Sequence, residues 1–297
     1  MSAAADTLPV PIASSLPVCT HVARLRRFIR RNQTLFAGGA ILSLVALIAL
    51  AAPLIAGDPL TMQPAQRLRP PSDVNWLGTD NLGRDVFSRS VYGARVSLFV
   101  GLSVASFSVA VGLLIGLLAG YFRRVDAIVM RLMDGLMAIP AILLAIALVA
   151  LTRASVMTVI VAITIPEVPR VVRLVRSVVL SVREAPYVEA AIAGGTPVWK
   201  ILLRHILPNT VAPLIVQATY ICASAILIEA ALSFLGAGTP PEIPTWGNMI
   251  AQSRLFLSRA PWTIFAPGIA LAVVVLAVNL LGDGLRDRLD PRLARRM

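Results

Sequence analysis

The residues best suited to a function lie in one polar segment between two long apolar runs. Their types suit noncovalent binding of another protein. Glu189 is followed directly by Ala190 and Ala191, and Gly195 comes shortly after them. A carboxylate beside small side chains is an acceptor that can approach the hydrogen-bond donors of a partner closely. A glycine allows the backbone to turn sharply. The pattern predicts a short helix that presents Glu189 to another protein.

The same segment continues through His205 and Pro208 into the next apolar run. We expect a first helix within residues 181–193. Thr196 and Pro197 are typical of the start of a second helix, with threonine as the N-cap and proline at the first helical position. Because proline interrupts helices, we expect the second helix to stop at Pro208. The alternative interpretation is an amphipathic helix that lies on the membrane surface.

Three polar residues within apolar runs are candidates for lining a transport pathway. An ionisable group at membrane depth is costly, so Glu167 is a functional candidate unless Arg170, three residues later, neutralises it. Glu229 lies near the outer end of its run, where it either lines the mouth of a pathway or extends to the interface. Asn279 either lines the pathway or forms a hydrogen bond between helices.

Covalent and metal-dependent chemistry has little support in this sequence. A phosphate-binding loop needs a lysine after its glycines, and the single lysine, Lys200, lies in Val-Trp-Lys-Ile. The histidines, His21 and His205, do not form a zinc-protease pattern, and Cys19 and Cys222 are far apart. We therefore expect no catalytic residue, no metal site and no cofactor in this chain.

The composition is that of a membrane protein, since 57% of the 297 residues are hydrophobic and 14% are charged. The net charge of +12 is carried by arginines between apolar runs, which is typical of the positive-inside rule and of contact with membrane lipid rather than of nucleic-acid binding. About 20 apolar residues cross a bilayer as a helix. The sequence predicts six such helices, at 36–56, 96–121, 127–151, 155–180, 210–235 and 262–281.

Charge and small residues add detail to this arrangement. The basic segments favour both termini and the Glu189 segment in the cytoplasm, although the first outer segment also contains several arginines. Pro166 and Pro169 are expected to kink the fourth span. Gly112, Gly116 and Gly120 recur at every fourth position, which predicts a face of the second span that packs closely on a neighbouring helix.

We divide the chain into four parts. Residues 1–34 are predicted to form a basic cytoplasmic tail, and residues 35–95 the first span and an outer segment. Residues 96–285 are predicted to be the transmembrane core, with a cytoplasmic coupling loop at 181–209. Residues 286–297 complete the chain as a second cytoplasmic tail.

Several motifs together resemble those of the C-type permease subunits of the dipeptide/oligopeptide/nickel ABC importer family. The resemblance extends over roughly residues 25–292 and includes Leu77-Gly78-Thr79-Asp80-Asn81-Leu82-Gly83-Arg84-Asp85, Met137-Ala138-Ile139-Pro140, Glu189-Ala190-Ala191 with Gly195, Leu207-Pro208-Asn209, and Glu229-Ala230-Ala231-Leu232-Ser233-Phe234-Leu235-Gly236.

The resemblance implies an all-α, five-helix importer core preceded by one N-terminal helix, in the bacterial inner membrane. It implies a homologous second permease, two ATP-binding subunits that hold ATP and magnesium, and an extracytoplasmic solute-binding protein that delivers peptides. It also implies that Glu189, Ala190, Ala191 and Gly195 contact the ATPase, with His205 and Pro208 in the same coupling loop. A gradient-driven secondary transporter or channel is the alternative, although no second half of an inverted repeat is visible.

Overall fold

The apolar runs fold into helices, and no residue between 32 and 289 lies in a β-strand. The computed structural model of the chain describes residues 32–289. Its helices are α1 Gln33–Leu50, α2 Ala52–Ile55, α3 Val86–Tyr121, α4 Arg123–Met137, α5 Ala141–Ala150, α6 Val156–Arg183, α7 Pro186–Ala193, α8 Val198–Lys200, α9 Leu207–Phe234, α10 Trp246–Ser253 and α11 Trp262–Leu289, with 3₁₀ turns at Pro64–Gln66 and Arg254–Phe256 and a π-helical segment, Ile201–Ile206, between α8 and α9. The predicted all-α class is confirmed.

Four helical stretches in the described residues are long and apolar enough to cross a membrane: α1, α3, the continuous stretch Val198–Phe234, and α11. A fifth span results if the bent pair α4 and α5 is counted as one. The remaining predicted span corresponds to α6, which has 28 residues but is interrupted by charged side chains. Helix α3 begins ten residues before its predicted start because Asp85 caps it, accepting a hydrogen bond from the Ser88 N–H at 2.8 Å.

The third predicted span, 127–151, is not one straight helix. Helices α4 and α5 meet at an angle of 86°. The break follows from Pro140, which cannot donate a backbone hydrogen bond and disfavours helical geometry at Ile139. Helix α4 is also amphipathic, since its 15 residues include three arginines and two aspartates. The hydropathy of the whole run conceals this change of direction.

The second half of helix α6 is basic, yet the helix belongs to the core. Its position is compatible with these charges because several of them are paired with acidic side chains. Arg173 donates a hydrogen bond to Asp134 of α4 at 2.6 Å. Arg176 binds both carboxylate oxygens of Asp126, also on α4, with one of the two contacts at 2.7 Å. Pro166 lies within the continuous helix. Charges that count against a membrane span in a hydropathy profile are therefore paired with a neighbouring helix.

The predicted glycine face of the second span is confirmed, and it packs against α6. The glycines of α3 meet valines of α6 one for one: Gly112 faces Val171, Gly116 faces Val175, and Gly120 faces Val179. A Cβ atom at Gly116 would lie 2.7 Å from the Val175 Cβ, far inside van der Waals contact. We call this contact the α3–α6 seam. It brings the two backbones together as small residues do between membrane helices.

Several arginines of the first outer segment conflict with the positive-inside rule, and two of them are buried within the protein. Arg84 donates to Asp80 at 2.7 Å, and both side chains are buried. Arg89 is 1% exposed and lies 3.6 Å from the same carboxylate. These charges belong to a folded outer segment, so they weigh less in the topology than free loop charges. The predicted tails, together with Cys19 and His21, lie wholly or mostly outside the described residues.

Candidate functional site

The predicted docking segment forms a short helix that ends in a sharp turn. Helix α7 begins at Pro186, which occupies its first turn, so the expected helix over 181–193 is in fact two helices separated at Glu184 and Ala185. At its other end the backbone of Gly195 has a φ of +73°, and its N–H donates to the Ile192 carbonyl at 3.0 Å. The left-handed conformation favours glycine, as the sequence indicated.

The second helix of the loop differs from the prediction at both ends. It begins at Val198, with Pro197 rather than Thr196 at the N-cap. It also does not stop at Pro208, because the helix runs on from Val198 to Phe234. The π-helical segment explains this continuity: the Leu207 N–H bonds to the Leu202 carbonyl, five residues back. The wider turn accommodates a proline that would collide with the carbonyl four residues earlier in an α-helix.

Side-chain contacts fasten α7 to the base of α9. Val188 is fully buried in the same core cluster as Ile206. Asn209 donates to the Tyr187 hydroxyl at 3.3 Å and to the His205 carbonyl at 2.7 Å. The rings of Tyr187 and His205 lie 6.1 Å apart. Helix α7 is therefore joined to α9 by packed and hydrogen-bonded groups as well as by the turn.

The opposite face of this loop is open. Glu189 and Ala190 are exposed, and the predicted contact residue Ala191 is partly exposed. Two large apolar side chains that the sequence pattern did not single out, Ile192 and Trp199, are 46% and 60% exposed. Exposed large apolar side chains of this kind are typical of a surface that contacts another protein or a membrane. The signal that could have found Trp199 is the presence of tryptophan in a polar segment.

Glu167 is brought into contact with Arg170. Its side chain is fully buried, and the Arg170 guanidinium donates to both carboxylate oxygens at 3.1 Å. Ser224 of α9 is a further hydrogen-bond neighbour of this carboxylate. The Arg170 side chain is 50% exposed, so one member of the ion pair is buried in the protein and the other lies at its surface. The pathway role of Glu167 stays a prediction.

The other two pathway candidates lie apart from each other. Glu229 is fully buried near the outer end of α9, where the Ser233 hydroxyl donates to one of its oxygens at 2.9 Å. It does not extend to the interface. Asn279 of α11 is partly buried, and its amide donates to the Val275 carbonyl of its own helix at 3.0 Å rather than to another helix. A role in lining the pathway stays a prediction for both residues.

A polar groove that the sequence did not reveal lies between α6, α9 and α11, on the side of the coupling loop. Its cavity measures about 450 Å³, and Gln217, Tyr220 and Arg286 contribute its polar lining. The Tyr220 hydroxyl donates to Asp283 at 2.6 Å. These residues belong to helices far apart in sequence, so only the fold brings them together. Within residues 32–289, no group of three or more His, Cys, Asp or Glu side chains could hold a metal ion.

Comparison with known proteins adds a family and a fold. Residues 112–295 match the model of the family described as binding-protein-dependent transport system inner membrane component. A protein of Sinorhizobium fredii, named a probable peptide ABC transporter permease, is 63% identical over 91% of this chain and 93% of its own length. A dipeptide transport system permease of Alkalihalophilus pseudofirmus is 45% identical over 89% and 88%. A glutathione transport system permease of Pectobacterium atrosepticum is 42% identical over 90% of each chain.

Among solved structures, the chain is similar to one from an inward-facing methionine ABC transporter. The TM-score is 0.54, and the match covers 68% of this chain and 96% of the other. At 21% sequence identity this similarity concerns the fold alone. Because the match covers nearly the whole of the other chain, the predicted ABC importer fold is confirmed.

Proposed function

Because this chain belongs to the family of binding-protein-dependent transport system inner membrane components, we propose that it forms half of a translocation pathway for di- or oligopeptides. It is an inner-membrane permease subunit of an ABC importer and is itself a non-enzymatic transport subunit. Relatives that are named peptide, dipeptide and glutathione permeases support a peptide as the substrate. The gradient-driven transporter is not favoured.

The proposal includes partners that supply what this chain lacks. A homologous second permease completes the pathway, and two ATP-binding subunits hold ATP and magnesium. An extracytoplasmic binding protein delivers the peptide. The family description, which names dependence on a binding protein, supports the last of these.

The observation that carries the proposal is the two-sided coupling loop. One face of α7 is anchored by Val188 and by the Tyr187–Asn209 hydrogen bond, while the other exposes Glu189 and Ile192. A rigid element with one anchored and one open face suits a lever between a soluble partner and membrane helices. When the ATPases close on ATP, the loop moves as one body. Helices α6 and α9, which flank it, then rock and open the pathway to alternate sides.

Purification of the tagged chain from native membranes in mild detergent tests this assignment. We expect a second permease and ATP-binding subunits to co-purify, and the eluate to hydrolyse ATP. Reconstituted with its binding protein, the complex should accumulate a labelled peptide such as trialanine only when ATP is present. A chain that purifies alone, or uptake that follows a proton gradient without ATP, would contradict the proposal.

A further inference from the structure

The polar groove between α6, α9 and α11 has the size and lining of a ligand site. Its volume of about 450 Å³ lies within the range of small-molecule pockets. Leu174 of α6, Val216 of α9 and Leu289 of α11 form apolar walls, and Gln217 and Arg286 supply polar groups. Apolar walls with a few convergent polar groups are what a site for an amphipathic small molecule requires.

Polar residues continue from this groove along each of its three helices. On α9, Ser224 follows Tyr220 by one helical turn and neighbours Glu167. On α6, Arg170 precedes the groove residue Leu174 by one turn and binds Glu167. The three helices thus present a polar line that leads from the groove toward the membrane interior. A groove filled by lipid chains would not need such residues, which are costly against hydrocarbon.

Polar residues on α11 also recur about once per helical turn, and the last of them, Arg286, can bind an anion. Asn279, Asp283 and Arg286 are four and three residues apart, so they share one face of the helix. Tyr220 donates to Asp283 and is a hydrogen-bond neighbour of Arg286. Among the described residues, no carboxylate forms an ion pair with the Arg286 guanidinium. A guanidinium has five N–H donors, and those that do not face Tyr220 can bind a ligand carboxylate in a planar arrangement.

We propose that this groove is the cytoplasmic-side subsite of the translocation pathway, in which Arg286 binds the C-terminal carboxylate of a passing peptide. Gln217 offers an amide to the peptide backbone, and the apolar walls accept a side chain. The inference rests on the proposed peptide transport and names the residues that recognise the peptide. Because the groove lies on α9, which is continuous with the coupling loop, movement of the loop changes the site as the peptide leaves.

The test uses cysteine labelling in inverted membrane vesicles that contain the whole transporter. Gln217→Cys is introduced after both native cysteines are replaced by alanine, and its reaction with N-ethylmaleimide is followed with and without trialanine. We expect trialanine to slow the labelling. Trialanine amide, which lacks the carboxylate, should need roughly ten-fold higher concentration for the same protection, the loss typical of a charged hydrogen-bonded pair. Val211→Cys, on another face of α9, should be labelled equally in all conditions.

The Arg286 variants identify the group that recognises the carboxylate. Arg286→Ala should raise the half-protection concentration of trialanine about ten-fold and leave that of the amide unchanged, while Arg286→Lys retains part of the preference. Arg288→Ala, which removes the same charge from the same helix end, is the control and should behave like the parent. Equal protection by trialanine and its amide, or no protection by either, would overturn the proposal.

Three further outcomes distinguish a peptide site from a lipid site, and the site from the transport function. If vesicles enriched in phosphatidylglycerol protect the Gln217→Cys variant without peptide, and Arg286→Ala removes that protection, the groove binds a lipid headgroup and the inference is wrong. If ATP-dependent trialanine uptake is absent while carboxylate-dependent protection persists, the proposed transport function fails and the site stands. If ATP-dependent trialanine uptake is present but trialanine does not protect the Gln217→Cys variant, the transport function stands and the proposed site is wrong.

Discussion

The α3–α6 seam and the coupling loop both depend on glycine, but for different physical reasons. In the seam, a Cβ atom at Gly116 would lie 2.7 Å from Val175 and 3.0 Å from the Val172 carbonyl oxygen. In the loop, a Cβ atom at Gly195 would meet nothing within 4 Å, yet the backbone φ is +73°. The seam needs glycine because of its neighbours, and the loop needs it because of its own conformation.

Because of this difference, we expect the seam to determine the stability of the fold and the loop to determine the coupling of ATP hydrolysis to transport. Helix α6 forms one side of the seam and ends at Arg183, three residues before α7 begins. A tightly packed helix pair moves as a unit, because close packing leaves few intermediate arrangements. In the mechanism that we propose, the loop transmits displacement to the seam without being buried itself. Substitutions in the seam should remove the folded protein, and substitutions in the loop should remove the transmission.

The largest effect is expected from Gly116→Val. The added side chain overlaps Val175, and overpacking of this kind costs roughly 3 kcal/mol. We expect little monodisperse protein in fluorescence-detected size-exclusion chromatography after mild heating. Gly135→Val is the matched control, because a Cβ atom at this helical glycine meets nothing within 4 Å. The exchange Gly116→Val with Val175→Gly should recover part of the lost protein. A stable Gly116→Val single variant would show that the seam is not tightly packed.

A smaller effect on stability and a large one on transport are expected from Gly195→Val. A β-branched residue in the left-handed region costs about 1–2 kcal/mol, so the turn should shift while the spans remain folded. Peptide uptake per ATP hydrolysed should fall strongly at normal membrane content. Gly195→Asn is the control, because asparagine tolerates this conformation, and it should keep most of the uptake. Equal uptake by the valine and asparagine variants would contradict the role of the turn.

The smallest effect is expected from Asn209→Ala. It removes the exposed hydrogen bond that connects Tyr187 of α7 to α9, together with a bond to the His205 carbonyl one turn earlier in the same continuous helix, each worth about 1 kcal/mol or less. We expect uptake per ATP to fall several-fold, with unchanged thermal stability of the spans. Tyr187→Phe, which removes only one of these bonds, should fall between this variant and the parent. An Asn209→Ala variant with full coupling would mean that packing at Val188 alone fastens the loop.

The sequence was sufficient where a local signal determines the structure. Regular spacing predicted the glycine face of α3, and Gly195 predicted the turn. It was insufficient where several elements compete: the run 127–151 is uniformly apolar in its second half, yet Pro140 turns the chain by 86°. Pro208 predicted an end, but a π-helical segment carries the helix past it.

The polar groove shows a second limit of what the sequence can reveal. Gln217 and Arg286 are almost 70 residues apart, and each has an ordinary interpretation in its own segment, as a helix polar residue and as a helix-end charge. Their meaning depends on the packing of α9 against α11, which periodicity does not specify. The short helix α7 and the turn at Gly195 could be predicted from sequence because their residues are contiguous.

The most direct test of the account is a site-specific photocrosslink from the coupling loop in intact membranes. A photoreactive amino acid at Ile192, which is 46% exposed on α7, is compared with one at Leu102, which is 66% exposed on α3. We expect a covalent adduct with an ATP-binding subunit from position 192, reduced by Gly195→Val, and none from position 102. An adduct with lipid alone from position 192 would mean that the loop is a surface helix and would contradict the lever.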